Sequence, residues 1–158
     1  MKTVLVLFAI IFSVAAICAF GYPGSAIANG KQQNDSLAAE RQRYVDEILS
    51  SLKGSEARQA DSVFKNLKTF TGPASVKVTH FLGIMKYWGA SLGVSCTHCH
   101  NTGNWSSDEK QAKSIARDMF AMRQTINGQI LKNIKGLQSE TPRVNCRTCH
   151  QGKLLPKE

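Results

Sequence analysis

The chain has 158 residues, 42% hydrophobic and 8% aromatic, with 20 Lys and Arg against 11 Asp and Glu for a formal charge of +9. That length bounds it to one domain beyond any targeting segment. Its basic residues are dispersed (Lys65, Lys68, Lys77, Lys86, Lys110, Lys113, Arg117, Arg123). They form no dense run of the kind that binds nucleic acid, and leave either a positive surface suited to steering towards an acidic protein partner or a merely solvated one.

Residues 1–28 read as a secretory leader. Lys2 supplies the positive start, Val4 to Phe20 is an unbroken apolar run, Pro23 and Gly24 break it, and Ala26-Ile27-Ala28 offers a small-x-small cleavage site. The run is also long enough to stay as a membrane anchor. A lipid-bearing role for Cys18 is disfavoured by bulky Ile17 before it. Export to the periplasm or beyond is expected, with membrane association if the leader is retained, and export argues again against nucleic acid. Cleavage removes Cys18 and leaves Cys96, Cys99, Cys146 and Cys149, all in two short clusters.

Downstream, residues 29–60 are expected as an N-terminal helical segment and 61–158 as the functional domain. Asn29 to Asn34 reads as a frayed end. Asp35 or Ser36 is suited to cap a helix that places Leu37, Val45, Ile48, Leu49 and Leu52 on one face and closes at Gly54. "DSVFKNLKTF" (residues 61–70) fits either a helix or an extended arm. Gly72-Pro73 marks a break, with Pro73 suited to a first helical turn. The next helix, about Ala74 to Ala90, sets Val78, Phe81, Leu82, Met85, Trp88 and Leu92 at helical spacing. Ser106 to Glu109 has the capping-box pattern for a helix from about Asp108 to Gln129, with Ile115, Met119, Met122 and Ile126 on one inward stripe. Residues 132–145 are expected to form a loop. With no strand pattern, the fold class is mostly α.

Cys96-x-x-Cys99-His100 and Cys146-x-x-Cys149-His150 both match the c-type haem attachment motif. Two thiols at this spacing reach the two vinyl groups on one side of a porphyrin, and the histidine that follows supplies a nitrogen ligand to iron. A zinc ribbon spaces its cysteine pairs by roughly 15 to 20 residues, and Cys99 and Cys146 are much further apart. A redox dithiol belongs in a βαβ setting, and a disulfide framework has no use for the trailing histidines. Two covalent haems are therefore expected, each iron wanting a second axial ligand. Met85, Met119 and Met122 all lie on apolar helical stripes, where methionine is ordinarily core filling, and periodicity does not choose between Met119 and Met122. His80 is a reserve ligand, and His98, inside the first motif, is expected to be exposed.

The stretch "FLGIMKYWGASLGVSCTHCHNTGNWSSDEKQAKSIARDMFAMRQTIN" (Phe81 to Asn127), followed by "VNCRTCHQG" (Val144 to Gly152), resembles the cytochrome c subunit of photosynthetic reaction centres and its shorter bacterial relatives, as does "VFKNLK" (Val63 to Lys68). The resemblance implies a small helical multihaem cytochrome with a ligand-bearing helix before each motif. It implies Met85 as axial partner of His100, and Met119, first methionine of "ARDMFAM", as partner of His150, with Met122 in the core. The reaction-centre subunit is similar to two such units in tandem, and this chain holds one. A histidine that serves a distant haem in the family is Asn133 here, Trp105 replaces the usual phenylalanine, and the loop from Lys132 to Val144 is longer.

The expected function is electron transfer, not enzymatic turnover, with redox proteins as partners (a reaction centre or a respiratory complex) and no small-molecule substrate. A dihaem peroxidase or a haem gas sensor is the alternative, and it needs one iron with an open sixth position.

Overall fold

The computed structural model describes residues 24–156, with side chains from residue 30 onward, and divides into two compact units, Met1–Asp35 and Ser36–Glu158. The apolar leader lies outside the described residues. Everything that follows concerns the second unit, apart from the start of the first helix. Among the described residues there is no strand, only isolated bridges between Gln59 and Lys77 and between Asn101 and Asn104, and no helix is long and apolar enough to cross a membrane. The fold is mostly α, as the periodicity predicts.

Helix α1 spans Gly24–Ser51. It starts well before Asp35, so Asn29 to Asn34 are helical and the expected cap is not used. Its Val45, Ile48 and Leu49, with Leu52 just beyond the helix, pack on a small core of Ala60, Val78, Phe81 and Leu82. Gly54, with φ of 78°, turns the chain away. Residues 61–70 resolve the ambiguity between helix and arm in favour of neither: a 3-10 turn at Ala60–Ser62 is followed by irregular backbone. Phe70 holds a left-handed φ of 57°, a conformation costing a bulky residue on the order of 1 kcal/mol or more. It is offset by ring contacts to Phe120 at 4.7 Å, Phe81 at 6.1 Å and Trp88 at 6.3 Å.

Pro73 does not open the second long helix. It lies in its own 3-10 turn, Gly72–Ala74, held by Asp61, which accepts from Gly72 N–H at 2.9 Å and from Ser75 Oγ at 2.6 Å. Helix α2 runs Val78–Leu92 and buries Val78, Phe81 and Leu82 as its spacing predicts. Helix α3 spans Gln111–Thr125, three residues later than the Ser106 pattern implies. The capping box does not form because its members serve the preceding loop: Ser106 Oγ donates to Asn104 Oδ1, and Glu109 Oε2 accepts from Asn101 Nδ2. Past Thr125 the helix widens into one π-turn, Ile126–Ile130, and tightens into a 3-10 turn, Leu131–Asn133. The inward stripe expected on α3 is also not inward. Ile115, Met119 and Met122 are exposed, and Phe120 is the side chain that α3 buries, against Phe70 and Trp88.

Helix α2 ends on Gly93 in the left-handed region, φ 68°, with its N–H on Gly89 O. A Cβ at Gly93 would run into the Gly152 carbonyl oxygen, so this turn lies backbone to backbone against the chain that follows the second motif. Gly152 N–H donates to Ser91 O at 2.8 Å across the same contact. Gly93→Ala therefore combines left-handed strain with a backbone clash and should cost more than about 2 kcal/mol in denaturant unfolding of the purified protein. Gly54→Ala, also left-handed but facing open space, should cost about 1 kcal/mol. Equal losses at the two positions would refute the close-approach argument.

Candidate functional site

Both motifs sit on short turns whose starts are capped by side chains. The first is a 3-10 turn, Cys96–His98, in which Ser95 Oγ accepts from Thr97 N–H at 3.2 Å. The second is a short helix, α4 (Cys146–His150), with a reciprocal cap: Thr148 N–H donates to Asn145 Oδ1 at 3.2 Å and Asn145 N–H to Thr148 Oγ1 at 3.1 Å. In each case the i to i+3 spacing of the cysteines brings both thiols to one side of a single turn. All four thiols are free, and Cys149 is the exposed one. Among the described residues no three His, Cys, Asp or Glu side chains converge on a point, so the thiols stand as two separate pairs.

Helix α2 ties the pairs together. Its C-terminal turn leads into Cys96, while its Tyr87 hydroxyl bonds Asn145 Oδ1 at 2.8 Å beside Cys146. Helix α1 braces the first motif from the other side: Arg41 Nη1 donates to Val94 O at 2.8 Å and Glu40 accepts from Ser95 Oγ at 2.8 Å. The π-turn braces the second. Asn127 grips Val144 with both ends of its amide, Nδ2 to Val144 O at 2.9 Å and Oδ1 from Val144 N–H at 2.8 Å. That clamp pins the end of the long loop to the foot of α3. Arg41 and Asn127 are braces that periodicity does not single out, as is Lys113, whose Nζ donates to Trp105 O at 3.0 Å and Ser107 O at 2.7 Å. A buried arginine looks in sequence like any surface cation, and an amide clamp has no spacing rule.

The chemistry of the donor set fits covalent porphyrin attachment better than redox exchange. Burial pushes the Cys96, Cys99 and Cys146 thiols up from their ordinary values, whereas a dithiol that exchanges electrons is held as a reactive thiolate. His100 is pushed the other way, first by burial and then by Lys113, with the Trp105 backbone opposing. It is thus a neutral imidazole at physiological pH, the form that ligates metal. Its Nδ1 is sealed in protein with no hydrogen bond of normal geometry, and the Trp105 ring lies 5.5 Å away. At His150 the carbonyls of Lys153 and Leu154 face Nδ1 at 3.1 and 3.0 Å, which places the proton on Nδ1 and frees Nε2 as ligand. Large apolar side chains from Ile115 through Leu155 stay exposed along the second half of the chain, surface of the kind a flat apolar group covers.

The candidate axial side chains differ in setting. Met85 is half-buried at the margin of the core. Met119 and Met122 are 38% and 47% exposed, so exposure separates them no better than periodicity does, and the placement of Met122 in the core is corrected. His80 is exposed, and His98 is half-buried rather than exposed.

Around the first motif, Asp108 carries an ion-pair cluster, 2.9 Å from Arg117 and 3.2 Å from Lys113. The Arg117 guanidinium, then Asn66 and Lys113, hold its carboxyl well below the usual carboxylate range. A depressed carboxyl stabilises the fold above its ordinary value near 3.8 and loses that contribution as pH falls towards the folded value. Asp108→Asn should therefore be less stable than wild type at neutral pH, with the two unfolding midpoints converging below about pH 4. A gap independent of pH would count against the ion pairs. Asn127→Ala leaves both backbone groups of Val144 unsatisfied and should cost about 1–3 kcal/mol. Asn133→Ala, which loses only the bond to Gln129 O at 2.6 Å on an exposed turn, should cost less than half of that.

The sequence matches the family described as "Photosynthetic reaction centre cytochrome C subunit" over residues 14–158. It is 32% identical over 85 residues to "Cytochrome c-554" of Chloroflexus aurantiacus, covering 54% of this chain and 20% of that one. It is 30% identical over 101 residues to the "Photosynthetic reaction center cytochrome c subunit" of Rubrivivax gelatinosus, covering 57% and 28%. To the subunit of the same name from Thermochromatium tepidum it is 27% identical over 139 residues, covering 87% and 32%. The chain thus spans about a fifth to a third of the length of these relatives.

Proposed function

The chain belongs to the photosynthetic reaction centre cytochrome c subunit family, and from that premise we propose that it is an exported c-type cytochrome carrying two covalent haems and passing single electrons between protein partners. The observation that supports this reading is the contact of Gly93 with Gly152 and of Tyr87 with Asn145, which brings the two Cys-x-x-Cys-His turns against the C-terminal half of one helix. Electron transfer between centres needs them near each other and rigid, and a backbone contact supplies both.

Each haem, when bound, supplies an iron that changes by one electron. The chain's part is attachment and tuning. Cys96 and Cys99 would hold one porphyrin and Cys146 and Cys149 the other, with His100 and His150 as nitrogen ligands. Met85 on α2 and Met119 on α3 would close the opposite faces. Support for Met119 over Met122 comes from the resemblance to the family motif alone. The dispersed positive charge suits an acidic docking face on a membrane-bound reaction centre or a respiratory complex, and no small-molecule substrate is called for. The leader would direct export, by cleavage after Ala28 or as an anchor.

The length of the loop from Lys132 to Val144, which bears on the reach of Met119, keeps the alternative, a peroxidase-like enzyme or gas sensor with one open iron site, as an outcome of the test. Material made with a working haem-attachment apparatus should gain the mass of two haems, one being lost in Cys146→Ala/Cys149→Ala. Reduced protein should bind carbon monoxide slowly or not at all at both irons. Unchanged polypeptide mass would defeat the haem reading, and rapid carbon monoxide binding at one iron would favour the enzyme or sensor.

A further inference from the structure

The two motifs are alike in sequence and unlike in surroundings. Around the first, cations are drawn inward onto backbone carbonyls. Arg41 is 5% exposed and bonds Val94 O. Lys110 Nζ donates to Thr97 O, inside the motif itself. Lys113, its side chain 11% exposed, donates to Trp105 O at 3.0 Å and Ser107 O at 2.7 Å, on the loop whose indole faces His100. The opposing carboxylates are Glu40, half-buried on Ser95, and Asp108 and Glu109, both exposed. Glu40 acts on Cys96 ahead of Arg41. Water, however, screens the exposed Asp108 and Glu109 far more than the buried cations, and Lys110 and Lys113 are the leading charges at Cys99 and His100. Cations therefore prevail on the iron-ligand side of the motif. Around the second motif Arg147 and Lys153 are exposed, and half-buried Arg123 acts on Cys146.

Two further differences point the same way. Both thiols of the first motif are half-buried, whereas Cys149 is exposed, and a low-dielectric setting disfavours the extra positive charge of ferric iron. His150 Nδ1 faces two carbonyls at 3.1 and 3.0 Å, while His100 Nδ1 makes no hydrogen bond of normal geometry and has the Trp105 backbone near it. An imidazole that donates its Nδ1–H to a carbonyl is a more basic ligand and favours the ferric state.

We propose that Arg41, Lys110 and Lys113 set the iron site of the first motif to the higher reduction potential of the two, so that a singly reduced molecule holds its electron at Cys96–His100. These are tuning residues, touching the loop around the cofactor, and the proposal rests on the two-haem reading above.

The test is an optically followed potentiometric titration of the purified holoprotein, with intact mass reading the haem count of the same sample. Wild type should show two waves. Lys113→Gln should lower the upper wave by up to about tenfold in the ferrous-to-ferric ratio at fixed potential, about 59 mV for one electron, and leave the lower wave in place. Lys113→Arg should restore the upper wave, since charge is kept. Arg41→Gln should act on the same wave, and decides the matter if Lys113→Gln does not accumulate. Movement of the lower wave instead, or of neither, overturns the proposal. A mass showing fewer than two haems would instead defeat the reading on which it rests.

Discussion

The close approach of two backbone turns, Gly93 at the end of α2 and Gly152 after the second motif, is the constraint on which the arrangement of this molecule depends. Glycine is required at Gly93 twice over, by its left-handed φ and by the Gly152 carbonyl that lies where a Cβ would stand. Such contacts leave no slack for side-chain rearrangement, so the relation between the two motifs is set by main-chain geometry. The Ser91–Gly152 and Tyr87–Asn145 hydrogen bonds then fix the rotation about that point.

This economy matters because the core is small. Ala60, Val78, Phe81 and Leu82 form its buried centre, extended through an aromatic run of Phe64, Phe70, Trp88 and Phe120. Apolar side chains on α3 and beyond stay on the surface. On the proposed reading, two large flat cofactors would complete the burial that side chains leave unfinished, and removing them would weaken the fold as well as abolish function. A unit spanning a fifth to a third of the length of its relatives would then owe its integrity to its cofactors as well as to its core.

Polar braces do the remaining work, and each is asymmetric between the motifs. Arg41 and Glu40 reach the first from α1, and Asn127 holds the second from the π-turn. The widening at Ile126–Ile130 is what puts Asn127 beside Val144, consistent with π-turns marking functional positions. The same asymmetry gives two turns of one Cys-x-x-Cys-His pattern different electrostatic surroundings.

The sequence by itself determined the helical class, the register of α2 with Val78, Phe81 and Leu82 inward, and the two Cys-x-x-Cys-His turns, because each of these depends on residues within one or two turns of each other. It misjudged where α1 and α3 begin and which face of α3 is buried. Ser106 and Glu109 obey a local capping pattern but are taken by loop contacts, and Phe120 finds partners in Phe70 and Trp88 that no window along the chain brings near. Only the tertiary structure decided that Arg41 is buried against Val94, that Asn127 clamps Val144, and that α2 joins the motifs at Gly93. Those facts depend on which distant segments meet, and a backbone contact between residues 93 and 152 leaves no periodic trace in either segment.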